Sequence, residues 1–133
     1  MKTIAIFDVT NAQTCVCMCN GVKVHEQHFN VGENVVEVNL TNAQSTNNLR
    51  YYFLGNTDSI YFNNFEIDGL NFHDATGQLY TYHFTSVIPI DADGSKLEDP
   101  EYKGHQLNNS GYYRISFTTP VENWFFKTMS YNK

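Results

Sequence analysis

Apolar residues recur at every second position through most of this sequence and seldom recur at helical spacing. Leu49, Tyr51 and Phe53, for example, are separated by single residues that belong to the opposite face. Because successive side chains of a strand point to opposite sides of a sheet, this alternation predicts strands. Short stretches of Asn, Gly and Asp separate the runs, and these residues favour tight turns. The pattern therefore restricts the chain to an all-β fold.

The alternating runs predict nine strands. They cover residues 3–9, 14–19, 22–30, 33–41, 49–54, 59–67, 80–89, 112–118 and 123–131. Asn20-Gly21 predicts a type I′ hairpin turn, since both positions of that turn need a positive φ. Two breaks in the alternation, within 25–28 and at Asn63-Asn64, predict β-bulges that keep the apolar side chains on one face.

The strand number and a length of 133 residues predict a single domain over residues 1–133. We expect a two-sheet antiparallel β-sandwich, jelly-roll or immunoglobulin-like, with a closed barrel as the alternative. Segment 49–69, a strand and a glycine turn followed by SIYFNNFEIDG, resembles the paired strands of jelly-roll carbohydrate-binding modules. Segment 22–40 is similar to many small β-sandwich domains. These resemblances imply a sandwich and no particular family.

The charge balance argues against two classes of partner. Fourteen Asp and Glu residues against eight Lys and Arg residues give a net charge of −6, which would repel a phosphate backbone. No stretch approaches the roughly 18 apolar residues of a membrane span, and the N-terminal apolar run ends at Asp8 without a cleavage site. We therefore expect neither nucleic acid nor a membrane as a partner, and no secretion signal.

Cys15, Cys17 and Cys19 form the most conspicuous cluster of reactive side chains. Residues two apart on a strand lie about 6.6–6.8 Å apart, a poor geometry for a disulfide, so we expect free thiols. A metal site is the alternative, although no second cysteine cluster completes a tetrahedral zinc set. Unpaired thiols favour a reducing cytoplasm, which includes that of a host cell.

Two other groups of residues suggest metal ligands only weakly. His25, His28, His73, His83 and His105 are scattered over four segments. The segment 91–95 (DADGS) resembles part of a calcium loop, but prolines stand where an EF-hand needs acidic ligands. A turn is the favoured interpretation, with an irregular calcium site helped by Glu98 and Asp99 as the alternative. We predict no metal and no cofactor.

No catalytic motif is recognisable, and no pair of carboxylates is marked out by apolar neighbours. We therefore expect no enzymatic activity. A glycosidase pair brought together by the fold and a metal-dependent hydrolase are the enzymatic alternatives.

The leading functional hypothesis is assembly. The first two predicted strands are apolar on both faces, so each face needs cover. A second protein chain, or the long segment 90–109, would supply it. The contact residues would be Phe7, Val9, Val16 and Met18. We expect a non-enzymatic virion accessory protein, such as a capsid-decoration, spike or fibre-associated subunit. Its partners would be copies of itself or capsid or tail subunits, and it would be made in the host cytoplasm.

The alternative hypothesis is a carbohydrate-binding module or cytoplasmic lectin. Tyr52, Tyr61, Tyr112 and Trp124 occupy positions whose strand neighbours face inward. Such rings can stack on sugar faces, while Asn and Gln amides supply hydrogen bonds. Filling of the core by the same rings is the competing interpretation.

Overall fold

A computed structural model describes residues 1–54, 59–72, 85–89, 102–103, 106–107 and 110–130, with backbone only for 85–89, 102–103 and 128–130. The described residues form eleven strands and a helix. They are β1 (Lys2–Val9), β2 (Gln13–Cys19), β3 (Val22–Phe29), β4 (Gly32–Asn39), β5 (Thr46–Phe53), β6 (Ile60–Ile67), β7 (Leu70–Asn71), β8 (Thr85–Pro89), β9 (Tyr102–Lys103), β10 (Gln106–Leu107), β11 (Gly111–Thr118) and α1 (Val121–Ser130).

The strands form two antiparallel sheets that pack face to face. The five-stranded sheet has the order β10-β6-β1-β4, with β7 paired to β6. The six-stranded sheet has the order β3-β2-β5-β11-β8-β9. The predicted two-sheet β-sandwich is confirmed.

Inward-facing aromatic side chains fill the space between the sheets. The fully buried rings there include those of Phe7, Phe29, Tyr51, Phe53, Phe62 and Tyr113. Phe7 lies at their centre, with ring centroids 4.7 Å from Phe62 and 5.2 Å from both Tyr51 and Phe53.

The two N-terminal strands lie in different sheets. β1 pairs with β4 and β6, whereas β2 pairs with β3 and β5. The polar segment 10–12 therefore carries the chain across the sandwich and does not close a hairpin. One apolar face of β1 and one of β2 are buried in the shared core. The assembly hypothesis expects a second chain or the segment 90–109 to cover these faces, but the core of the same sandwich covers them.

This placement corrects half of the predicted protein contacts. Phe7 and Val9 are 0% and 1% exposed and line the core, so the prediction that they contact a partner is wrong. Val16 and Met18 do face outward, half-buried beside their neighbours on β5. Because both faces of these strands are apolar, alternation alone does not indicate which one faces the core.

The predicted turn and bulges follow from the register. Asn20 and Gly21 have φ values of 53° and 81°, as the hairpin between β2 and β3 requires. Asn63 is the extra residue in β6, because Ile6 lies opposite Asn64 while Phe7 lies opposite Phe62. The bulge in β3 falls at Val24, just before the predicted segment 25–28.

The final predicted strand, 123–131, is wrong, because Val121–Ser130 is helical. Val121, Trp124 and Phe125 have the i, i+3, i+4 spacing that places side chains on one helix face, and all three pack on the core. Glu122 in the first turn and Lys127 in the last suit the helix dipole. Of the predicted strand 80–89, the described part is β8, and segment 90–109 contributes β9 and β10.

Candidate functional site

The structure separates the four side chains predicted to bind glycan. Tyr52 and Tyr112 lie side by side on the outer face of the six-stranded sheet. Tyr61 is on the outer face of the other sheet, opposite Asp8. Trp124 lies on α1, with its ring 5.2 Å from Phe72 and 5.7 Å from Phe117, so it packs on the core and not on a sheet face. Of the four, Tyr52 and Tyr112 are therefore neighbours, whereas Tyr61 and Trp124 lie elsewhere on the molecule.

Tyr52, Tyr112 and Arg50 form a compact cluster on the six-stranded sheet. Tyr52 and Tyr112 are directly opposite each other on β5 and β11, with ring centroids 4.7 Å apart. The guanidinium carbon of Arg50 lies 4.9 Å from the centroid of the Tyr112 ring, within the range of a cation–π contact. Arg50 Nη1 also donates a hydrogen bond of 2.9 Å to Tyr52 Oη, and Nε donates one of 2.9 Å to Asn48 Oδ1.

The members of this cluster differ in what they offer a ligand. Tyr112 is only 4% exposed, so the prediction that its ring stacks on a sugar is wrong. It instead supports Tyr52 and Arg50, which are half-buried and open to solvent. We name Asn48, Arg50, Tyr52 and Tyr112 the tyrosine–arginine cluster.

Arg50 is a cation at neutral pH, as arginine side chains in proteins are. Partial burial of Arg50 acts to lower its pKa. The hydrogen bond to Tyr52, and the charge interactions with Tyr52 and Tyr112, outweigh that effect and raise the pKa above its usual value. The side chain is therefore a fixed cation, held in place at two of its nitrogens.

Two of the predicted protein contacts border this cluster. Val16 lies opposite Tyr52, and Met18 lies opposite Arg50. The outward residues of β2 therefore continue the same surface with apolar side chains. Asn48 and Arg50 were not predicted as site residues, although strand alternation places both on the face of Tyr52.

The three thiols lie in the core. Cys15, Cys17 and Cys19 are all 0% exposed, and the prediction of free cysteines is confirmed. The Sγ atoms of Cys15 and Cys17 are 4.0 Å apart. Burial, with a smaller effect of Cys17, raises the pKa of Cys15 well above its ordinary value, and burial also raises that of Cys19. Cys15 and Cys19 are thus protonated at neutral pH.

No group of three His, Cys, Asp or Glu side chains among the described residues could hold a metal ion. His25 forms a hydrogen bond of 3.0 Å with Gln27, and His28 is exposed on β3. The remaining metal candidates lie outside the described residues. They are His73, His83, His105, the segment 91–95, Glu98 and Asp99.

Comparisons with known proteins bear on the fold. No protein-family model and no curated protein matches the chain. The solved structures that resemble it include "vCBM60 in complex with galactobiose", with a TM-score of 0.60, 14% identity, and coverage of 89% of this chain and 98% of the other.

A second solved structure of vCBM60 has a TM-score of 0.60 at 8% identity and covers 86% of this chain and 88% of the other. Its description refers to two families of calcium-dependent carbohydrate-binding modules. At such low identity these likenesses establish a shared sandwich fold. In the part of the chain that the structure describes, no group of acidic side chains could hold calcium, and the segment 91–95, Glu98 and Asp99 lie outside that part.

No helix in the described part of the chain is long and apolar enough to cross a membrane.

Proposed function

We propose that this protein is a non-catalytic carbohydrate-binding module whose ligand lies on the outer face of the six-stranded sheet. The observation that carries the proposal is the tyrosine–arginine cluster. Asn48, Arg50 and Tyr52 form a hydrogen-bonded, half-buried set on the outer sheet face, with the buried Tyr112 beside Tyr52.

The chemistry of these groups suits a sugar. The ring of Tyr52 offers apolar area and its hydroxyl offers a polar edge, the combination that pyranose rings meet in binding sites. Arg50 has donors beyond the two nitrogens already used, and Asn48 has an amide NH₂. Their positions are set before ligand arrives, which lowers the entropic cost of binding.

The comparisons give independent support at the level of fold. The vCBM60 structure is a carbohydrate-binding module in complex with galactobiose. Because proteins of one fold can have many functions, the similarity supports the fold, and the tyrosine–arginine cluster supports the function.

The virion hypothesis has less support. Its main premise is an apolar N-terminal pair of strands that needs a second chain for cover. The inward faces of β1 and β2 are instead buried in the core of the same chain, which leaves only their half-buried outward faces for a partner. The solved structures that resemble the chain are carbohydrate-binding modules.

The test is calorimetric titration of the protein with neutral galactan oligomers and with galacturonic acid oligomers, in the presence of Ca²⁺ and in the presence of a chelator. We expect binding that weakens about 5- to 30-fold in Tyr52→Ala, since one well-placed aromatic contact is worth about 1–2 kcal/mol. Tyr61→Ala is the matched control, because it removes a half-buried tyrosine from the opposite outer face.

Failure to bind any glycan under either condition would refute the proposal, as would equal losses in the two variants. Fluorescence of the single Trp is a poor reporter, because Trp124 packs on the core beside Phe72 and Phe117.

A further inference from the structure

The cross-strand register places basic residues in one row across the six-stranded sheet. Starting at the β3 edge, the residues directly opposite one another are Lys23, Met18, Arg50, Arg114, Ser86 and Lys103. We name this set the basic row. It contains four of the eight Lys and Arg residues of the chain, including both arginines. At about 4.8 Å per strand, it spans about 24 Å.

Arg50 and Arg114 are the central pair of the basic row. They face each other directly on β5 and β11, both pointing outward and both half-buried. Like charges directly opposite each other destabilise an antiparallel sheet. Arg114 also takes part in an interaction of its own, and the register places it on the same face as Arg50.

Among the described side chains, the outer face of the five-stranded sheet is mainly acidic and that of the six-stranded sheet is mainly basic. The five-stranded sheet presents Asp8, Glu33, Glu37 and Glu66, with Lys2 as the basic residue among its described positions. The six-stranded sheet presents Arg50, Arg114 and Lys23, with Glu26 as the acidic residue among its described side chains.

Glu26 offsets the charge of Lys23 in the basic row and does not reach its central arginines. It forms an ion pair of 2.9 Å with Lys23, and both side chains are more than half exposed. Such exposed pairs contribute little and exchange readily with other partners. The central arginines lie on β5 and β11, at least two strands away from Glu26 on β3.

We propose, on the basis of the proposed function, that the glycan bound on this face is acidic. It is a uronic-acid polysaccharide whose carboxylates lie on Arg50 and Arg114 and whose sugar ring lies on Tyr52. Arginine suits this role because its planar guanidinium matches a carboxylate. The aromatic pair Tyr52 and Tyr112 lies two residues along the strands from the two arginines, so a single sugar chain can reach both.

Nucleic acid offers the same combination of negative charge and ring faces. A polyphosphate carries a higher charge density, and the net charge of −6 would oppose its approach more strongly. The observations therefore favour the carboxylate polymer, and an oligonucleotide serves as a competing ligand in the test.

The experiment compares galacturonic acid oligomers with the same oligomers fully methyl-esterified, together with neutral galactan oligomers and oligothymidylate. We expect the acidic form to bind about tenfold more tightly than its ester at low salt, as expected for one or two charge-assisted hydrogen bonds. The preference should fall below about twofold at 1 M salt, where the Debye length is about 3 Å.

Two substitutions of Arg50 separate charge from shape. Arg50→Gln should remove the preference for the acid over the ester, and Arg50→Lys should retain most of it. Lys2→Gln is the matched control, since it removes the same charge from the opposite face. Thermal melts establish folding, and Arg114→Gln replaces Arg50→Gln should the latter unfold.

The outcomes distinguish the two proposals. If ester and neutral oligomers bind as tightly as the acid, the acidic-glycan inference is overturned and the glycan-binding function stands. If no glycan binds, the proposed function fails and the inference fails with it. Tighter, Arg50-dependent binding of oligothymidylate would replace the polysaccharide with a nucleic acid and overturn the inference.

Discussion

The side chain of Phe7 offers the sharpest test of the fold. Its ring is 0% exposed and lies within 6.0 Å, centroid to centroid, of five other rings. These neighbours are Phe29, Tyr51, Phe53, Phe62 and Tyr113. They come from both sheets, so the cavity left by Phe7→Ala cannot close without shifting one sheet against the other.

We therefore expect Phe7→Ala to lower the free energy of unfolding by about 4 kcal/mol, within the range of about 3–5 kcal/mol for buried Phe to Ala. Urea denaturation followed by circular dichroism measures this loss. With a slope of about 2 kcal/mol per M, the midpoint should fall by about 2 M. Ile6→Ala, on the half-buried outward face of the same strand, is the control, and we expect about 1–2 kcal/mol there.

The opposite ranking would refute this reasoning. If Phe7→Ala changed stability by under about 1 kcal/mol while altering the oligomeric state, Phe7 would be a contact residue, as the apolar pattern of β1 suggests when it is taken alone.

Two further predictions concern the β2–β3 turn and the buried titratable groups. Gly21→Ala should lower the free energy of unfolding by about 1–2 kcal/mol, measured by urea denaturation. The loss of stability comes from the φ of +81° alone, because a Cβ added at Gly21 meets no atom within 4 Å. An unchanged free energy of unfolding in Gly21→Ala would contradict this explanation. Burial raises the pKa of Cys15 and of Tyr51 well above their ordinary values, so the folded state keeps protons that the unfolded chain loses. The stabilisation that the two protonated groups give to the folded state is complete below about pH 8.5 and declines as pH rises. The urea midpoint of unfolding should therefore fall between about pH 8.5 and 10.5. The urea midpoint should fall less steeply with pH in Cys15→Ala than in the unsubstituted protein. Equal pH dependence in these two proteins would show that Cys15 is not one of the titrating groups.

Much of the fold could be predicted because one face of most strands is polar. On β5, alternation correctly assigns Leu49, Tyr51 and Phe53 to the core, and on β6 the bulge at Asn63 explains why the parity changes. The Asn20-Gly21 turn needs only local backbone preference. These features depend on interactions within a few residues, which a single sequence contains.

The site could be predicted only in part. Alternation places Tyr52 and Arg50 outward on β5, but Tyr112 and Arg114 lie about sixty residues later. Only the pairing of β5 with β11 brings these four together, because pairing partners depend on the whole chain. Trp124 was misplaced because a short apolar segment fits a strand or a helix equally well until it packs against Phe72.

By itself, the sequence determined that the chain is built of strands, where most of them bend or turn, and which residues of a half-polar strand are buried, because side-chain alternation and turn conformation are local properties. The tertiary structure alone decided that β1 and β2 lie in opposite sheets, that Phe7 rather than Ile6 fills the core, and that both arginines meet on one face. Those outcomes depend on which distant strands exchange hydrogen bonds, and strand pairing is a property of the assembled sandwich.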